Sequence, residues 1–230
     1  MNSFETKDIA AFYEEYETGI KQTTVNWRVY TLIQRGILNR IGRGRFILGT
    51  SKLFIPEISL EMKAINKKLN QEFPYLKTCI WNTSVLNEFM HHQLGRFYLL
   101  IEVEKVATQS VFYFLKEAKK SVFIEPTSDI LEKYLPREKE ALIVKPLVSE
   151  APIQIVEGIH TASLEKMLVD IFCDKVLFSN QQGAEMRTVF REALHKYSVN
   201  QSRMLRYADR RRKKKSFNKY LISITNLRQQ

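Results

Sequence analysis

Residues 22–48 read QTTVNWRVYTLIQRGILNRIGRGRFIL, and this stretch decides the fold class of the N-terminal part. The spacing predicts a helix over Gln22–Arg35. Val25, Val29, Leu32 and Ile33 fall at i, i+4, i+7 and i+8, one apolar stripe at the helical period. Gln22 or Thr23 can open the helix. Gly36 closes it, because glycine tolerates the left-handed backbone past a helix end. Two short strands, Ile37–Ile41 and Arg45–Leu48, then flank Gly42-Arg43-Gly44, a hairpin with glycines where positive φ is needed. Helix, glycine, strand, basic turn, strand is the local grammar of a winged helix-turn-helix.

The charge pattern points the same way. Between Thr18 and Pro56 there is no Asp or Glu, while Lys21, Arg28, Arg35, Arg40, Arg43, Arg45 and Lys52 give a local charge of +7. With Val25 centred on the core face, Thr23, Trp27, Tyr30 and Gln34 turn outward, with Thr24 and Thr31 on one flank and Asn26 on the other. Polar, short side chains on the outer face suit a helix entering a major groove. Arginines on a wing suit phosphate, whose contacts set register rather than read sequence. The expected DNA-facing residues are therefore Thr23, Thr24, Asn26, Trp27, Arg28, Arg40, Arg43 and Arg45. The competing reading is a small α/β cap with a solvated basic face and Trp27 packed on a neighbour.

Upstream, Thr6 is the expected N-cap of a helix from Lys7 to about Glu17, with Ile9, Phe12, Tyr13 and Tyr16 on one side. Met1–Glu5 leave too little chain for the extra helix a winged helix usually carries, so the unit is trimmed or covered by another element. Downstream, Thr50–Pro56 reads as a connection, and Ile58–Phe73 as an amphipathic helix ended by Pro74. From Tyr75 the pattern changes to short apolar strands alternating with helices of about three turns. Strands are expected at Lys77–Trp81, Phe97–Val103, Ser121–Ile124, Ala141–Leu147 and Ile153–Val156. Helices are expected at Ser84 to about Leu94, Thr108–Ala118, Ser128–Tyr134, from a cap at Thr161 or Ser163 through Phe172, Gln182–Tyr197, Gln201–Arg212 and Phe217–Thr225, the last of which is helical or frays. FYLLIEV, nearly continuous in apolar residues, suits a central strand buried on both faces. The expected architecture is mixed α/β: a winged helix over 1–50, then a larger α/β domain over 57–230 with a mixed sheet and C-terminal helices.

A chain of 230 residues that is 44% hydrophobic can bury a sizeable core, and a net charge of +11 argues for a polyanionic partner. The charge is uneven. Residues 1–20 carry −4 and residues 203–219 carry +8. The run of Arg203, Arg206, Arg210, Arg211, Arg212, Lys213, Lys214 and Lys215 reads either as a solvated tail or as a second contact to nucleic acid or an acidic partner, through Arg206, Arg210, Arg211, Arg212 and Lys213. Cys79 and Cys173 lie in apolar surroundings without metal-ligand spacing and read as reduced core residues, which with the polar N-terminus suggests a cytoplasmic protein. No stretch is long and apolar enough to span a bilayer.

The sequence offers little for catalysis. It has no Gly-rich phosphate loop, no nucleophile elbow and no two-histidine metal helix. His91-His92 is an adjacent pair whose side chains diverge on a helix; His160 and His195 stand alone. Glu102 and Glu104, two apart and followed by Lys105, invite comparison with metal-dependent nucleases. The spacing is wrong, since Val103 stands where the acid should be, so both read as the solvated end of a strand. No catalytic residue, metal or cofactor is expected.

Three stretches resemble a bacterial family related to the antitoxins of the AbiE abortive-infection systems, the type IV toxin–antitoxin systems. They are TVNWRVYTLIQRGILNRIGRGRFIL at Thr24–Leu48, the middle of the chain from TCIWNTSVLNEFM at Thr78 through ALIVKPLV, and SLEKMLVDIF at Ser163–Phe172 followed by Leu205-Arg206-Tyr207-Ala208 and Arg210-Arg211. The resemblance implies an autoregulator that binds its own promoter through the N-terminal winged helix and counters a nucleotidyltransferase-like toxin through the larger domain. It places Thr23, Thr24, Asn26, Arg28, Arg43 and Arg45 on the DNA surface, with two copies matching an inverted repeat. Glu165, Lys166 and Asp170 match the family signature. By position they read as structural: Glu165 favours the helix N-terminus, and Lys166 with Asp170 is an i, i+4 pair. The alternatives are a metal-dependent nuclease or nucleotidyltransferase-like enzyme with a DNA-targeting unit, and a ligand-sensing transcription factor.

Overall fold

The computed structural model describes residues 3–49, 52–91, 95–118, 121–133 and 140–226. Expectations touching Met1, Thr50, His92, Leu94, Tyr134 and the outward turn of the Gln34 side chain lie outside what is described.

The N-terminal unit runs β1 (Ser3–Glu5), α1 (Thr6–Tyr16), α2 (Gln22–Gln34), β2 (Leu38–Gly42) and β3 (Arg45–Leu48). Its three strands form an antiparallel sheet in the order β1-β3-β2. The segment too short for a further helix is thus a strand, and it adds an edge to the hairpin. The cap of α1 is Glu5 rather than Thr6, and its backbone N–H donates to Asp8 at 2.7 Å. Thr6 is used differently: its backbone N–H donates to the Gly44 carbonyl at 2.9 Å, and its hydroxyl reaches the same oxygen at 3.3 Å. That fastens the hairpin tip to the start of α1. Val25, Val29, Leu38 and Phe46 form a small core of their own, with Ile9, Tyr13, Ile20, Leu32 and Ile33 packed against it. Gly36, at φ +68, ends α2 as expected, with Ile37 N–H donating to the Leu32 carbonyl.

The body is a mixed α/β layer. Its strands are β4 (Thr78–Asn82), β5 (Phe97–Val103), β6 (Val122–Ile124) and β7 (Glu140–Pro146), ordered β4-β5-β7-β6. β4 runs antiparallel to β5; β5, β7 and β6 are parallel. FYLLIEV is therefore a central strand, and its alternation feeds two cores. Leu99, Ile101 and Val103 point to one face, where α3 (Leu60–Glu72) and α4 (Thr108–Ala118) pack. Leu100 points to the other, with Trp81, Cys79, Ala141 and Ile143. Over that second face lie α6 (Leu164–Cys173), α7 (Ala184–Lys196), α8 (Gln201–Arg210) and α9 (Lys214–Asn226). The short α5 (Ser128–Lys133) connects β6 to β7.

Two further expectations hold, the strand at Ile153–Val156 and the helix over Phe217–Thr225, and two change. The segment after β4 is a 3-10 helix, Thr83–Phe89, capped by the Asn82 side chain accepting from Ser84 N–H at 2.8 Å, not an α-helix capped by Ser84. Ile153–Val156 is β8, paired antiparallel with β9 (Ile159–Ala162) in a separate hairpin. The C-terminal helix does not fray, because Phe217, Leu221 and Ile224 are buried in the main core, each side chain contributing about 1.5–3 kcal/mol of burial. The basic run bends between α8 and α9 at Arg212, φ +55, where Lys213 N–H donates to the Ala208 carbonyl and Arg212 N–H to that of Asp209, a Schellman turn.

The N-terminal unit meets the body at a close crossing. A Cβ on Gly49 would stand 2.1 Å from the Gly36 carbonyl oxygen. The Ser198 hydroxyl, between α7 and α8, donates to that same carbonyl at 3.2 Å and bonds the Asn39 side chain. Ser198 N–H donates to the Lys52 carbonyl at 2.9 Å. No described helix is long and apolar enough to cross a membrane.

Candidate functional site

Two places bring chemistry-bearing residues together: the outer surface of the N-terminal unit, and a charged network inside the body.

On α2, Thr23, Asn26, Trp27 and Tyr30 form one exposed row, and Trp27 and Tyr30 keep 66% and 60% of their surface. Their spacing, i, i+3, i+4 and i+7, puts them on one helical face. Thr24 is half-buried. Asn26 accepts from Gln22 Nε2 at 3.1 Å, and the Trp27 carbonyl accepts from the Thr31 hydroxyl at 3.0 Å. At the hairpin, Arg43 at the tip and Arg45 at the start of β3 are exposed, and the Arg40 guanidinium lies 5.5 Å from the Phe46 ring centroid. Arg28 differs from the rest. It pairs with Glu17 at 2.6 Å and sits 4.7 Å from the Tyr13 ring centroid, so it ties α2 to α1 rather than standing free on the outer face.

The body holds the larger surprise. Every residue from Thr161 to Ile171 is buried, so α6 is covered on all sides. Lys166, fully buried, donates to Glu102 Oε1 at 2.5 Å and to Asp170 Oδ2 at 2.5 Å. The Trp81 indole N–H donates to Glu102 Oε1 at 2.9 Å. Asp170 Oδ1 accepts from the Tyr207 hydroxyl at 2.9 Å and from Arg211 at 2.7 Å. Glu102 thus departs from its expected place at a solvated strand end. It lies 1% exposed on β5, on the same face as Leu100 and opposite Cys79. Glu104 lies beyond the end of β5 and is exposed. The i, i+4 pair of Lys166 and Asp170 is present, but it is internal. Arg211, expected to meet nucleic acid, is spent on Asp170. Arg210 pairs with Glu150 at the surface, while Arg206, Arg212 and Lys213 remain exposed.

Electrostatics sets the protonation of this network. Burial works against the Lys166 charge, but Asp170 and Glu102 outweigh it and hold the ammonium well above its ordinary range. Burial likewise pushes the Asp170 carboxyl up, and Lys166, Arg211 and Lys145 overcome that and hold it below its ordinary value. Burial, with Asp170 alongside, pushes the Tyr207 phenol far up, so it remains a donor. A sealed, protonated lysine is neither a nucleophile nor a base. What the network does is join β4, β5, α6 and α8 through one set of charge-assisted bonds. Glu165, on the same helix, accepts from Asn200 N–H at 3.0 Å and so braces the start of α8. Among the described residues, no group of three or more His, Cys, Asp or Glu side chains could hold a metal ion. Cys79 is buried and Cys173 only half-buried; both are free thiols.

Residues 24–227 match the model of DUF6577, a family of unknown function. The chain belongs to that family. The DUF6577 match opens inside α2 and covers the chain through the end of α9, taking in the arginine-tipped hairpin and the whole buried network, while β1 and α1 lie outside it. No curated protein matches the chain.

The sequence marked the surface of α2 and the hairpin by period and by the missing acids. It missed the Glu102–Lys166–Asp170–Arg211 network. The one signal available was SLEKMLVDIF, where three charges, Glu165, Lys166 and Asp170, sit within a run otherwise rich in core residues.

Proposed function

We propose that this DUF6577 protein is a DNA-binding regulator that reads duplex DNA through its N-terminal unit in the manner of a winged helix. The observation that carries the reading is the exposed row Thr23, Asn26, Trp27 and Tyr30. It sits on the helix whose opposite face, Val25 and Val29, builds the unit's core. Beside it in sequence stands an exposed Arg43–Arg45 hairpin, in a stretch without a single acid between Thr18 and Pro56. Helix side chains would contact base edges, and the hairpin arginines phosphate. Arg28 would steady the helix from behind, through Glu17. Arg206, Arg212 and Lys213 supply a second basic surface for the backbone or for an acidic partner. Two copies on an inverted repeat fit the general logic of such readers. The larger part of the proposal, an antitoxin-type autoregulator whose α/β body meets a nucleotidyltransferase-like toxin, is supported by the resemblance of residues 24–48, 78–148, 163–172 and 205–211 to the AbiE-related family.

Fluorescence anisotropy on the region upstream of its own gene, against a scrambled duplex at two salt concentrations, tests this. Preference for the upstream region that survives higher salt is expected. Arg43→Ala and Arg45→Ala should each weaken binding to all duplexes and reduce the salt slope by about 1. Equal, salt-labile binding to both duplexes, or no effect of the two changes singly and together, would overturn the reading. Co-purification with the product of a neighbouring nucleotidyltransferase-like gene tests the toxin-facing half.

A further inference from the structure

The body contains a cavity of about 310 Å³ that lies apart from the DNA surface and shares the Trp81 side chain with the buried network. That is the small end of the size range of ligand sites, about 300–1,000 Å³. Phe54, Pro56, Trp81 and Met167 give it apolar walls. Its polar lining is two carboxylates, Glu57 and Glu88, with the Asn82 amide and the hydroxyls of Ser84 and Thr161, and among the described lining residues there is no Lys, Arg or His. Glu57 is exposed and makes no ion pair among the described residues. Glu88, also exposed, accepts one bond from the Tyr197 hydroxyl at 2.7 Å, and Lys196 bonds its backbone carbonyl rather than its carboxylate. Thr161, fully buried on β9, also lines the cavity, and its hydroxyl has no hydrogen-bond partner among the described residues. An unpartnered buried hydroxyl carries an uncompensated desolvation cost, which a ligand group can recover.

We propose that this cavity binds a small organic ammonium compound with an apolar body and a hydroxyl at its far end. The ammonium sits at the exposed carboxylates of Glu57 and Glu88, where charge-assisted bonds form. The apolar body lies against Phe54, Trp81 and Met167, and the distal hydroxyl satisfies Thr161. A carboxylate-bearing ligand of the same shape would face two like charges without a cation in the lining to offset them. The proposal stands independently of DNA binding, since its readout is the ligand alone.

Isothermal titration of the full chain with tyramine, phenethylamine and 3-(4-hydroxyphenyl)propionate tests it. Saturable one-site binding of tyramine is expected, tighter than phenethylamine, with none by the acid. Glu57→Gln with Glu88→Gln should weaken tyramine at least about tenfold, the loss of one good charge-assisted bond. Thr161→Val should bring tyramine to the affinity of phenethylamine. Circular dichroism confirms that the variants fold; Glu57 and Glu88 are exposed, and Gln at position 88 can still accept from Tyr197. Absence of saturable binding by both amines, equal binding of the acid, or unchanged tyramine affinity in the double variant would overturn the proposal.

Discussion

Replacing Lys166 with Met asks whether the buried network organises the core. The ammonium is fully buried, 2.5 Å from Glu102 and 2.5 Å from Asp170. At an effective dielectric of about 20, a unit pair at about 4 Å is worth about 4 kcal/mol before desolvation is subtracted. The two carboxylates do not lose equally. Asp170 keeps Arg211 and the Tyr207 hydroxyl. Glu102 keeps only the Trp81 indole N–H among the described residues, and its Oε2 has no partner at all. One buried carboxylate is stranded, and breaking a buried pair in this way costs about 3–5 kcal/mol. Adding Glu102→Gln removes the stranded charge while leaving a side-chain carbonyl to accept from Trp81. The double variant should therefore regain at least about 2 kcal/mol over K166M, within the range of coupling between residues in contact. Urea titration followed by circular dichroism reads both the free energy and its denaturant slope. K166M within about 1 kcal/mol of wild type, or a double variant no more stable than K166M, would refute the reasoning, because the lysine would then not be compensating Glu102.

Asp170 gives the network a pH signature. Its carboxyl is held below the ordinary value of 3.8 in the folded protein. The stability contributed by its charge is thus complete above that value and drains away as pH falls toward the folded one. Between about pH 4 and about pH 3, wild type should lose urea stability more steeply than Asp170→Asn, and parallel losses would count against the pairing. Gly49→Ala would bring a methyl to 2.1 Å from the Gly36 carbonyl, a backbone atom that cannot rotate away. A drop of about 1–3 kcal/mol or more in thermal unfolding is expected, and a neutral alanine would contradict the crossing. Burial pushes the Cys173 thiol up to about 11, and Cys79 higher still. Iodoacetamide at about pH 8 should then alkylate both slowly in the native protein and rapidly in urea, since the thiolate is the reactive form. Rapid native labelling of Cys79 would mean that β4 opens.

Periodicity and punctuation determined much of this protein. The apolar stripe of α2, its stop at Gly36, the glycine-flanked hairpin, the central strand FYLLIEV and the helix Thr108–Ala118 are all local in cause, set by side-chain spacing over a few turns or a few pleats. The mixed α/β class follows from their alternation. Pairings distant in sequence are different. β1 becomes a strand only because β3 offers an edge. The charges of α6 show the limit most clearly. Along the sequence Lys166 and Asp170 read as an ordinary i, i+4 pair. Only the tertiary structure brings Glu102 from β5 and Arg211 from the end of α8 to meet them. Whether a charge lies in water or in the core is settled by what covers the helix, and the covering elements come from far along the chain: Arg211 stands 41 residues from Asp170 and Glu102 stands 64 from Lys166.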